Sequence, residues 1–108
     1  MYECMRIKHT TLLRNLPSIR EYGLLRSFSR DRRSALWFHA TAWDRAAETH
    51  VRLRHDADGE DLVHLTFHIP DEWLRRHAGN LWYCLEDVGP ERLERIQVVR
   101  RVLEEMPV

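Results

Sequence analysis

Leu62-Val63-His64-Leu65-Thr66-Phe67-His68-Ile69 is the stretch on which the fold turns. Val63, Leu65, Phe67 and Ile69 recur at every second position, and His64, Thr66 and His68 fill the positions between, the period of a strand with one face in a core. Pro70 ends the strand, since proline offers no N–H to a ladder. Beyond it, Asp71 to His77 reads as a short helix carrying Trp73 and Leu74. Asn80 to Glu86 reads as a further β segment between Gly79 and Gly89-Pro90, and Glu91 to Leu93 as one helical turn. Ile96-Gln97-Val98-Val99 closes the domain as a strand with a charged tail.

On the amino-terminal side, His55 to Glu60, with Asp58-Gly59, reads as a turn. Before it lies a helix from about Ala42 to Arg54 with Thr41 as a suitable cap. Trp43, Ala46, Ala47, His50 and Val51 form its expected buried stripe. Ala35 to Ala40 is a second strand, and Arg26 to Ser34, rich in serine and arginine, an exposed loop. Tyr2 to His9 alternates as a first strand, with Met5, Ile7 and His9 on one side and Cys4, Arg6 and Lys8 on the other. A short helix follows, with Asn15 as cap, Pro17 in the first turn and Gly23 as left-handed stop. The order β-α-β-α-β-α-β-β, with helices of uneven length and no phosphate-binding glycine loop, fits a single α+β domain of 108 residues.

Lys+Arg and Asp+Glu both total 17, so no global field draws the chain to nucleic acid or an anionic membrane, and any nucleic-acid contact is local. Lys8 is the only lysine; the arginines run through every segment, as coding bias produces. The two cysteines, Cys4 and Cys84, fall in strands and are expected reduced and buried, without metal-ligand spacing. No apolar run is long enough to span a bilayer and the start is not a signal peptide, so a cytoplasmic protein without membrane partners is expected.

His9-Thr10-Thr11 at the end of the first strand, then Leu16-Pro17-Ser18-Ile19 to Gly23-Leu24, then Leu36-Trp37-Phe38-His39-Ala40 before an alanine-bearing helix, make up an ordered set of motifs. With Trp82-Tyr83 to Glu86 and Pro90-Glu91-Arg92 to Ile96, that set resembles the ADP-ribosyltransferase fold. The likeness is to small members related to DNA-modifying toxin transferases and RNA 2′-phosphotransferases. It implies a compact α+β domain with a mixed β-sheet split around a cleft, short helices, and NAD as cofactor. It also implies roles by position: His9 as ribose ligand with Thr10 or Thr11 beside it, Trp37, Phe38 or His39 lining the nicotinamide pocket, and Glu86 as the catalytic acid. A carboxylate so placed stabilises an oxocarbenium-like transition state. Thr10 stands where the family often has glycine.

Each candidate has a plainer reading. His9 lies on the apolar register, where a satisfied buried histidine is the alternative. The four tryptophans suit a core. Arg26, Arg30, Arg32 and Arg33, with Phe28, form either a grip for a pyrophosphate or phosphate backbone or a solvated loop. His64 and His68, two pleats apart, do not make a metal site by themselves. The leading expectation is therefore an NAD-binding, transferase-like domain using His9, Arg30, Arg32, Arg33 and the second strand, acting on a nucleic acid or protein acceptor. The alternative is a non-catalytic nucleotide- or phosphate-binding or protein-interaction module on the same fold. A third reading has His9 and His39 as acid and base on RNA without NAD. Convergence of His9, a second-strand aromatic and Glu86 on one pocket separates the enzyme from the binding module.

Overall fold

The alternation around Leu65 becomes the centre of the molecule. In the computed structural model, which describes residues 3–57, 59–100 and 103–108, the strand β3 (Leu62–Pro70) pairs along nine residues with β1 (Cys4–Leu12). On its other edge β3 pairs with β6 (Leu93–Val99). Val63, Leu65, Phe67 and Ile69 are wholly buried on one face. There they pack with Ile7, Phe38 and Ile96, under Leu16 and Ile19 of the helix α1 (Leu16–Tyr22) and under Leu24 and Val88. Gly23 stops α1 at φ +77°, where the chain presses against the Val88 carbonyl.

The remaining strands are β2 (Leu36–His39), β4 (Leu74–Ala78), β5 (Leu81–Cys84) and β7 (Leu103–Met106). All seven described strands form one sheet in the order β4-β5-β2-β1-β3-β6-β7, and every pairing is antiparallel. The α+β class is as expected; the sheet has no parallel pairs, so it is not mixed. Its weakest seam lies between β1 and β2, which share a single register pair, Lys8 with His39.

Several elements differ from the sequence reading. Asp71 to His77 is a 3-10 turn (Asp71–Trp73) followed by β4, not a helix, because Gly79-Asn80 makes a two-residue hairpin that pairs β4 with β5. The charged tail holds β7, whose Leu103 and Met106 pair with Val99 and Ile96. Asn15 donates to Thr11 Oγ1 instead of capping α1. Thr41–Trp43 is a 3-10 turn with no side-chain cap, ahead of the helix α2 (Asp44–His55). Tryptophans 37, 43, 73 and 82 are half-buried, and Cys4 is exposed whereas Cys84 is buried. Tyr2, Asp58 and the tail's Arg101 and Val102, which the sequence reading used, lie outside the described residues.

The expected stripe of α2 is shifted by one residue. Ala47 and Val51 are buried, but Ala46 and His50 are exposed, and Asp44 and Glu48 complete the inward row at three- and four-residue spacing. The cause is the surface beneath: on this face of the sheet β1, β2 and β3 present Lys8, Thr10, His39 and His64, all buried. Carboxylates therefore face inward.

Candidate functional site

Alternation along β1 and β2 divides the sequence-predicted residues between the two faces of the sheet. His9 and Phe38 lie on the core side, with ring centroids 5.8 Å apart. Thr10, Trp37 and His39 lie on the α2 side, where Thr10 Oγ1 is 2.7 Å from His39 Nε2. Thr11 is half-buried at the end of β1 and accepts from Asn15.

At the seam, His9 Nδ1–H donates to the Trp37 carbonyl at 2.8 Å, an interaction between strands that share only one register pair. That bond fixes the tautomer and leaves Nε2 as a lone-pair acceptor. Burial pushes the His9 pKa down, partly offset by the Trp37 carbonyl and reinforced by His39, so the ring is neutral at pH 7.

On the α2 side a chain of hydrogen bonds runs from Ala40 to Glu48. His39 Nδ1 is 2.9 Å from the Ala40 carbonyl, Thr10 Oγ1 bridges His39 Nε2 and His64 Nδ1 at 2.7 and 2.6 Å, and His64 Nε2 is 2.8 Å from Glu48 Oε2. Both ends are acceptors, so His39 Nδ1 and His64 Nε2 each carry a proton. Between the rings Thr10 has one proton for two nitrogens, and with both rings neutral one contact would set lone pair against lone pair. One extra proton satisfies every link: Thr10 O–H donates to His39 Nε2, His64 Nδ1–H donates to Thr10, and the extra proton joins His64 Nε2 to Glu48 Oε2. Charge agrees. Lys8, 2.9 Å from Asp44 Oδ2, balances that carboxylate, and the proton in the His64–Glu48 contact balances Glu48. Burial, the largest influence, lowers the His39 pKa against the raising effects of the Ala40 carbonyl and Asp44, consistent with His39 as the neutral ring.

His39, Asp44 and His64 also present potential metal-ligand atoms within 4.8 Å of one another. The Lys8 ammonium already supplies the cation at Asp44, and the Thr10 hydroxyl sits between the two imidazoles. Lys8, Asp44 and Glu48 escaped the sequence reading as site residues, and His64 entered it only with His68 as a metal ligand to be set aside. The available signal was the polar set Lys8, Thr10, His64 on the strand faces opposite the apolar ones, which a carboxylate-bearing helix can cover.

The arginine loop is pinned. Arg26 donates to the carbonyls of Ser34 and Arg33, and Asp31 accepts from the Arg33 amide and, at 3.2 Å, from Trp37 Nε1. The Arg33 guanidinium lies 4.5 Å from the Tyr83 ring centroid. Arg30 and Arg32 are exposed and make no hydrogen bond or ion pair among the described residues. Glu86 is exposed in a bend beyond β5, its amide donating to Cys84 Sγ. It lies four residues past Trp82, the register partner of Phe38, on the order of 10 Å along the strand direction. His9, Phe38 and Glu86 therefore do not share a pocket, and Phe38 is only 1% exposed.

No family model, curated protein or solved structure matches the chain. Among the described residues no helix is long and apolar enough to cross a membrane.

Proposed function

We propose that this chain is a nucleotide-binding module of ADP-ribosyltransferase-like build, with NAD as its ligand, that does not use Glu86 as a catalytic acid. The observation that carries the reading is His9: a neutral imidazole fixed by the Trp37 carbonyl at the β1–β2 seam, its Nε2 free to accept from a ribose hydroxyl. The seam is the counterpart of the split that the resemblance implies. The loop with Arg30 and Arg32 leads into β2 at the end where the ladder is open, and offers to a pyrophosphate two guanidinium groups that are unpaired among the described residues. The exposed position of Glu86 favours the binding module over the transferase.

Calorimetric titration of NAD into the wild type, His9→Ala and Arg30→Ala/Arg32→Ala tests this. Saturable binding is expected, lost in His9→Ala and weakened in the arginine variant, with no nicotinamide released by the wild type. Absence of binding at millimolar NAD by folded protein would overturn the nucleotide reading. Nicotinamide release that Glu86→Gln abolishes would restore the enzyme.

A further inference from the structure

A net charge of zero conceals a segregation. Residues 26–43 and 74–85, which build the arginine loop, β2, β4 and β5, contain Arg26, Arg30, Arg32, Arg33, Arg75 and Arg76 and one acidic residue, Asp31. The rest of the chain holds eleven Lys/Arg against sixteen Asp/Glu. The same half-sheet carries Phe28, Trp37, Phe38, Trp43, Trp82 and Tyr83, six of the ten aromatic residues. Arg33, Arg75, Trp37 and Tyr83 meet on the α2 side of the sheet, while Phe38 and the Arg76–Trp82 pair lie on the other. Trp37 and Tyr83 are register partners with centroids 5.4 Å and planes 46° apart, His77 stands edge-on to Trp37 at 5.1 Å, and the Arg33 guanidinium carbon lies over the Tyr83 ring, 4.5 Å from its centroid. Arg75 is the register partner of Tyr83 on the edge strand, and Arg75 and His77 are exposed. Helix α2 packs over β1 on this side, and Trp37 and Tyr83 are left half-buried.

We propose that this face binds single-stranded nucleic acid. Unpaired bases stack on the Trp37–Tyr83 pair, while the N–H edges of Arg33 and Arg75 meet phosphates. Asp31 holds the Trp37 indole in place through its N–H. Tilted rings flanked by arginines suit the separately exposed bases of a single strand, whereas a duplex hides its bases and an acidic peptide would engage the arginines and leave the rings unstacked. Because Trp37 points away from the His9 side of β2, this surface does not depend on the nucleotide reading.

The test is fluorescence anisotropy of a fluorescein-labelled twelve-residue oligothymidylate, with a matched duplex and poly-glutamate as competitors, at several salt concentrations. Arg33→Ala/Arg75→Ala is compared with Arg45→Ala/Arg54→Ala, which removes the same charge from exposed positions of α2. The first variant is expected to weaken binding about tenfold or more and to flatten the log–log salt slope by roughly 1.4, about 0.7 for each single-strand phosphate contact. Tyr83→Leu is expected to weaken binding roughly fivefold or more with the slope unchanged, and Tyr83→Phe to bind as wild type. Thermal unfolding of each variant checks the fold. No binding, equal affinity in the two arginine pairs, preference for the duplex, or displacement by poly-glutamate at matched charge would each overturn the proposal. NAD titration of the same variants separates this outcome from failure of the His9 site, since Arg33, Arg75 and Tyr83 are not at His9.

Discussion

Two substitutions that look similarly mild should behave very differently, because the α2 network needs a particular number of protons. Thr10→Val keeps the branched shape on a strand but removes the hydroxyl between His39 and His64. It strands His39 Nε2 and a His64 N–H in a buried site, at ~1–3 kcal/mol each, so after some relaxation of the rings about 2–4 kcal/mol is lost. Glu48→Gln exchanges an acceptor for a group that can donate. His64 Nε2 then accepts from the amide, Nδ1–H donates to Thr10, Thr10 donates to His39, and His39 donates to Ala40. Every link is made with both rings neutral, and Lys8 still balances Asp44. The expected loss is within ~1 kcal/mol. Urea unfolding at pH 7 gives both numbers, and ¹⁵N NMR of the imidazoles and side chain 48 gives the proton count: one imidazole-to-carboxylate proton between His64 and Glu48 in the wild type, none in Glu48→Gln. Equal destabilisation by the two variants, or no extra proton between His64 and Glu48 in the wild type, would refute the proton count.

Other outcomes follow from the same structure. His9 and His39 are held below the ordinary histidine pKa of 6.5, chiefly by burial. Their neutral forms are favoured in the fold, so that contribution to stability is intact above pH ~6.5 and is lost as pH falls from there through the folded values, by at most about 1.4 kcal/mol per pH unit per group. His9→Gln should flatten the acid side of a stability-against-pH curve; an unchanged curve would argue against a half-buried neutral His9. Gly23→Ala and Gly59→Ala both place a side chain at positive φ, but a Cβ on Gly23 meets the Val88 carbonyl while Gly59 is open. Thermal melts should show about 1 kcal/mol lost at Gly59 and more than twice that at Gly23. Phe67→Ala, at a wholly buried position, should cost about 3–5 kcal/mol by chemical denaturation.

How far the fold could be read depended on whether a segment's burial pattern matched its chemistry. In β3 it did: the apolar alternation of Val63 to Ile69 is the core face. The first two strands were legible for the same reason, with ends displaced by a few residues. In Leu74–Ala78 it did not, because an edge strand exposes both Arg75 and Arg76 and needs no alternation once Gly79-Asn80 joins it to β5. Helix α2 failed in another way. Its inward row is half carboxylate, so a rule that seeks apolar stripes chose the neighbouring row.

The same logic explains what became of the candidate site. Consecutive residues of a strand cannot serve one pocket, so His9-Thr10 and Trp37-Phe38-His39 had to be shared between two faces, and the register of Lys8 with His39 decides the sharing. One face receives His9 and Phe38 at the seam. The other receives Thr10 and His39 under α2, and Trp37 beyond it, among the arginines. Charge was illegible for a related reason: arginines scattered along the sequence are gathered by a hairpin and a loop onto one half of the sheet, opposite an acidic remainder. A nucleotide held at His9 and a single strand held at Trp37 and Tyr83 would then lie on opposite sides of β2. A reaction between the two needs one of them to reach around an edge of that strand or through the open end of the seam. Simultaneous binding without competition between NAD and oligothymidylate is the outcome that this placement requires, and mutual displacement would mean that the ligands share one face.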